Sequence, residues 1–181
     1  MPIFVALLRG INVGGKRVKM DDLRKSFEAV GHEQVQTYIQ SGNVVFKAHS
    51  GSAAALEKKI EERLARDFGF SVSVIVRSRE ELADAIGANP LVSQRGIDSA
   101  KLHVTFLSES PSAAALKKLR EFTLAPDQSC CVEKHIYLHL PNGFSQSSLW
   151  KVPWEKALGV VTTTRNWNTV NKLHEMCQAC G

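Results

Sequence analysis

The order of secondary-structure signals constrains this chain more than any single motif, because the same series runs through it twice. Residues 3–8 (IFVALL) are continuously apolar, as a strand covered on both faces requires. Met20, Leu23, Phe27 and Val30 then fall on one helical face, and Gly31 closes that helix. Residues 34–40 (QVQTYIQ) alternate and carry Val, Thr, Tyr and Ile; Ser41-Gly42-Asn43 is a tight turn, and residues 44–48 (VVFKA) return as the second arm of a hairpin. Leu56, Ile60 and Leu64 mark a second helix, and residues 71–77 (SVSVIVR) a further strand. Ser78-Arg79-Glu80-Glu81 has the capping-box form and opens a short helix that ends at Gly87.

The second half repeats the series. Residues 101–107 (KLHVTFL) are a strand, and Ser110-Pro111 reads as the cap and first position of a helix through Leu116, Leu119 and Phe122. Residues 129–134 and 135–140 (HIYLHL) form a strand pair. A segment around 149–158 is interrupted by Pro153, residues 160–164 (VVTTT) are a strand, and residues 168–177 form a closing helix. Each half is βαββαβ plus a trailing helix. That order predicts an α+β protein of two tandem ferredoxin-like subdomains, with antiparallel sheets carrying their helices on one face. The expected division is 1–88, a linker at 89–100 and 101–181, which suits 181 residues.

Composition narrows the class. A hydrophobic fraction of 44% with 23% charged residues excludes disorder and fibrous repeats. No apolar run approaches the roughly 18 residues of a membrane helix, and MPIFVALLRG lacks the basic start of a signal peptide. A cytoplasmic protein with no membrane partner and reduced cysteines is expected. Cys177 and Cys180 form a CxxC one turn after His174, but at the closing end of a helix, where no dipole lowers a thiol pKa. They read as ordinary thiols, and no metal site is expected.

Three polar segments are candidate binding elements. Leu8-Arg9-Gly10-Ile11-Asn12-Val13-Gly14-Gly15-Lys16 lies between a strand and a helix, where glycines let backbone N–H groups approach an anion. Arg17 stands where a P-loop would place its magnesium-binding Ser or Thr, so the segment is not a P-loop. Residues 9–25 hold six basic side chains against Asp21 and Asp22, a local excess that can attract phosphate or nucleic acid. Gln40, Ser41 and Asn43 offer hydrogen-bonding groups at the hairpin tip. Arg165-Asn166-Trp167-Asn168 sits at a strand-to-helix junction, where the Trp could stack on a base or sugar. The histidines have no metal-site spacing, G-x-S-x-G is absent, and no catalytic set stands out.

LRGINVGG, YIQSGNVVF and TRNWNTVNKL resemble the motifs of the bacterial family called domain of unknown function 1697, over essentially the whole chain. The resemblance implies two related α+β subdomains and supplies no established activity, cofactor or catalytic residue. It implies a polar signature at Arg9, Asn12, Gly14, Gly15, Gln40, Ser41, Asn43, Arg165, Asn166 and Trp167, to which charge adds Lys16. The reading that follows is a site for a small anionic, phosphorylated or nucleotide-like ligand at the glycine-rich loop. An RNA or other nucleic-acid module is the alternative, and a structural or protein-interaction domain without a ligand is the third. Whether the protein is an enzyme, and its oligomeric state, stay open at this point.

Overall fold

A computed structural model describes residues 1–49 and 51–181. The first seven elements are β1 (Ile3–Leu8), α1 (Met20–Glu28), β2 (Glu33–Tyr38), β3 (Asn43–Lys47), α2 (Ala53–Phe68), β4 (Val74–Ser78) and α3 (Arg79–Gly87). The second series is β5 (Leu102–Leu107), α4 (Ala113–Phe122), β6 (Gln128–Val132), β7 (His135–His139), α5 (Trp154–Leu158), β8 (Thr162–Asn166) and α6 (Trp167–Ala179). The strands form two four-stranded sheets, ordered β2-β3-β1-β4 and β6-β7-β5-β8, with every neighbouring pair antiparallel. These are two tandem α+β ferredoxin-like units. By packing, one comprises Met1–Asp84 with Lys172–Gly181, and the other Ala85–Asn171.

In the first unit, strand alternation sends Phe4, Ala6 and Leu8 of β1 to one face, with Val44 and Phe46 of β3 and Val74 and Val76 of β4. Leu23 and Phe27 of α1 and Leu56, Ile60 and Leu64 of α2 close over that face. Ile3, Val5 and Leu7 point the other way and are buried too, so β1 is covered on both sides. Helix α2 begins at Ser52, whose hydroxyl accepts from the Ala55 N–H, and ends at Gly69 with φ +76°.

The two edges of this sheet are protected differently. On β2 the pairing register shifts between Glu33 and Gln36. On β4, the alternate N–H groups left over from pairing with β1 are taken by carboxylates. Val74 N–H donates to Glu61, Val76 N–H to Glu57 and Ser78 N–H to Glu81, each at 2.8 Å. Glu81 is the acid of the expected capping box; its own N–H donates to Ser78 Oγ at 3.1 Å. Leu173, Cys177 and Cys180 of the chain's last segment are buried, and Gln36 Nε2 lies 3.2 Å from Cys180 Sγ. Burial beside Cys180 pushes the Cys177 thiol up to about 12, so it is a poor nucleophile.

The second unit packs Leu107, Ile136, Leu138 and Leu140 against Ala115 and Leu119 of α4, with Leu149 and Leu158. Tyr137 is fully buried and its hydroxyl donates to the Ala85 carbonyl at 2.6 Å, satisfying the end of α3. Two local expectations are corrected. The cap of α4 is Ser112, which accepts from the Ala115 N–H at 3.2 Å; Pro111 stands just before the cap rather than after it. Strand β8 runs two residues later than the VVTTT run suggested, carrying Arg165 and Asn166 on the strand itself. Pro153 precedes α5 and leaves it only five residues long. Among the described residues no helix is long and apolar enough to cross a membrane.

Candidate functional site

The glycine-rich loop runs from the end of β1 to the start of α1 and is anchored on three sides. Leu8 N–H donates to the Gly42 carbonyl at 2.8 Å, and Arg9 N–H to the Ser73 carbonyl at 2.9 Å. Ile11 and Val18 are buried and pin the loop to the core. The approach of the hairpin turn is so close that a Cβ on Gly42 would lie 2.7 Å from Leu8 Cβ and 2.9 Å from the Ile11 side chain. With φ at +77°, only glycine fits there.

Asn12 organises the loop. Its backbone has φ +57°, which asparagine tolerates better than most residues. Its N–H donates to the Lys16 carbonyl at 2.6 Å, its Oδ1 accepts from the Val18 N–H at 2.9 Å, and its Nδ2 donates to the Gln40 carbonyl at 2.7 Å. One side chain thereby closes the loop and clips it to the hairpin tip. Asn43 does the same work inside the hairpin: fully buried, it donates from Nδ2 to the Tyr38 carbonyl at 3.0 Å and to Ser41 Oγ at 2.9 Å. Gly14 and Gly15 form an exposed turn with φ +59° and +96°. Lys16 folds back, its ammonium 3.3 Å from the Ser71 carbonyl and 5.6 Å from the centre of the Phe70 ring.

Beside this loop is a cleft of about 440 Å3 at the start of α1. Asn12 and Gln40 line it together with Arg17, Val18, Lys19, Met20, Asp22 and Phe68. Lys19 occupies the cap position of α1 without a side-chain hydrogen bond to the helix, whose first turn carries Asp21 and Asp22. Among the described residues, the side chains of Arg17 and Lys19 make no ion pair or hydrogen bond. Their neighbours in the basic stretch are engaged. Arg24 pairs with Glu28 at 2.7 Å, and Lys25 approaches Asp22 at 3.9 Å.

Of the signature residues, the structure brings Asn12 and Gln40 together at the cleft. Gly14, Gly15, Lys16, Ser41 and Asn43 build the surrounding loop and turn without lining it, and Arg9 is exposed at the loop's start. Arg17 and Lys19 are visible in sequence only as charge, and Phe68 carries no polar signal that would single it out. Arg165, Asn166 and Trp167 belong to the second unit. Arg165 is buried and donates from Nη1 to Thr163 Oγ1 at 2.7 Å and to the Thr164 carbonyl at 2.9 Å; desolvation lowers its pKa to about 10. Asn166 accepts from the Asn168 N–H at 2.9 Å, capping α6, and donates to the Ala100 carbonyl at 3.2 Å. Trp167 is buried, so it offers no open stacking face.

A double ferredoxin-like fold whose polar signature largely secures its own loops is the class these observations define. The chain belongs to the family described as Protein of unknown function (DUF1697), which matches residues 1–137. A conserved bacterial protein, SP0830 from Streptococcus pneumoniae, has a similar solved structure: TM-score 0.79 and 26% identity, covering 98% of this chain and 99% of that one. No curated protein matches the chain.

Proposed function

We propose that the cleft at the start of α1 binds a small anionic ligand, phosphorylated or nucleotide-like. The observation that carries this reading is the pair of unengaged cations, Arg17 and Lys19, beside an uncapped helix start. A helix start and two cations beside a concave surface, set against the single lining acid Asp22, form an arrangement suited to phosphate oxygens. Asn12 and Gln40 hold the wall in place, so the cleft exists before the ligand arrives. We read 1–88 and 101–181 as the two copies of the repeat, joined by 89–100.

The burial pattern disfavours the nucleic-acid alternative in its usual form. An RNA-recognition sheet displays aromatic side chains on an open face. Here every residue of β1 is buried, as are four of the five in each of β3 and β4.

The test is a calorimetric titration with pyrophosphate, a nucleoside monophosphate and a short single-stranded oligonucleotide, over a salt series. Saturable binding of the small phosphates is expected, weakened about tenfold or more by Arg17→Glu with Lys19→Glu, a loss of about 1.4 kcal/mol or more. Asn43→Ala serves as the structural control. It removes two buried hydrogen bonds at a cost of about 1–3 kcal/mol, lowering Tm without changing affinity. Absence of phosphate binding at low salt would overturn the proposal. Binding of the oligonucleotide alone, with a steep salt dependence, would replace it with the nucleic-acid reading.

A further inference from the structure

In the second unit, the loop after α4 and the loop after β7 border an open cleft of about 450 Å3 that shares no residue with the cleft described above. Two residues tie these loops together. Asp127 Oδ2 accepts from Ser147 Oγ at 2.7 Å and from the Ser148 N–H at 3.3 Å. Ser148 Oγ donates to the Phe122 carbonyl at 2.8 Å and accepts from the Leu124 N–H at 3.2 Å. The N–H groups of Gly143, Gln146, Ser147 and Trp150 are satisfied by carbonyls three residues earlier. The walls are therefore preformed.

The remaining side chains have something to offer a ligand. Trp150 lines the cleft and is 55% exposed, unusual for a residue that is mostly buried in folded proteins. Phe144 holds its indole in place from one side, centroid to centroid 5.5 Å with the rings at 85°. Leu124, 61% exposed, adds a second apolar surface. Asn142, Ser145, Gln146 and Lys151 complete the rim, and among the described residues none of these four side chains is hydrogen-bonded.

We propose that this cleft is a saccharide-binding site. A sugar ring presents an apolar C–H face and a rim of hydroxyls, each both donor and acceptor. The indole and Leu124 match the face. The amides of Asn142 and Gln146 and the hydroxyl of Ser145 match the rim, since only such groups both donate and accept. A phosphate is poorly served here, because among the described lining residues Lys151 is the single cation, Asp127 contributes an opposing charge and no α-helix start adds to it.

The experiment is acrylamide quenching of tryptophan fluorescence, together with amide chemical-shift mapping, in the presence of mono- and disaccharides including an N-acetylated sugar. Trp167 is buried and Trp154 half-buried, so Trp150 dominates the quenchable signal. Protection by a saccharide is expected, with shifts confined to the loops around residues 122–127 and 141–151. Trp150→Ala should weaken binding about tenfold. Asn142→Ala with Gln146→Ala, on an exposed rim, should weaken it while leaving the fold and the indole intact. No protection by any saccharide at millimolar concentrations would overturn the proposal. So would protection by free nucleosides but not sugars, which would mark a plain stacking surface.

Discussion

His32 shows how much a single buried ring can set. It packs against both Phe27 and Phe46, with centroids 6.0 and 4.5 Å away, and among the described residues its Nε2 has no hydrogen-bond partner. Burial, helped by the charge of Lys59, lowers its pKa from 6.5 to about 4. The folded protein therefore keeps His32 neutral at pH values where the unfolded chain takes up a proton. Stability is full above pH 6.5 and falls as pH drops toward 4, by about 3 kcal/mol from this residue. His32→Phe should flatten the acid limb of Tm against pH, leaving a smaller slope from His103, which burial also holds down. An unchanged limb would clear His32 of the effect. Asn12 and Asn43 teach the complementary lesson. Their polar character is plain in the sequence, but their partners are not. Both use their amides within the loop and hairpin, so two signature residues that suggest ligand contacts are first of all loop and turn builders.

At the scale of elements, local order was readable and long-range pairing was not. The apolar stripe of α2 and the capping box at Ser78 involve residues three or four apart, and both stand as the sequence implies. Glu57 and Glu61 flank that stripe and look like ordinary solvated acids. Nothing in sequence marks them as acceptors for the edge of β4, 19 and 13 residues away. Their placement closes an edge that would otherwise present a row of free N–H groups to another strand. Glu57→Ala with Glu61→Ala should cost about 1–3 kcal/mol for each N–H left unpaired and produce concentration-dependent self-association in light scattering. The Gln versions retain a carbonyl acceptor and should keep the wild-type scattering. Equal behaviour of the Ala and Gln pairs would show that edge closure is not what these side chains do.

For the whole molecule, the repeated element order carried the fold class, because two βαββαβ series leave few other architectures. It carried no information on where a trailing helix packs. Helix α3 is divided between the compact units after Asp84 and α6 after Asn171, so the first unit includes Lys172–Gly181. Removing residues 172–181 takes the buried Leu173, Cys177 and Cys180 from that unit. Amide exchange in β1–β4 should accelerate in the truncated chain relative to the full chain. Equal protection would show that the first unit holds without its distant segment. The same arrangement bears on synthesis at the ribosome. The first 84 residues emerge early, but the segment that completes their unit follows the 87 residues of the second. At about 5–20 residues per second, that is a wait on the order of ten seconds. During that interval the nascent chain carries a nearly finished sheet with part of its cover still unmade, a window in which a chaperone has apolar surface to hold.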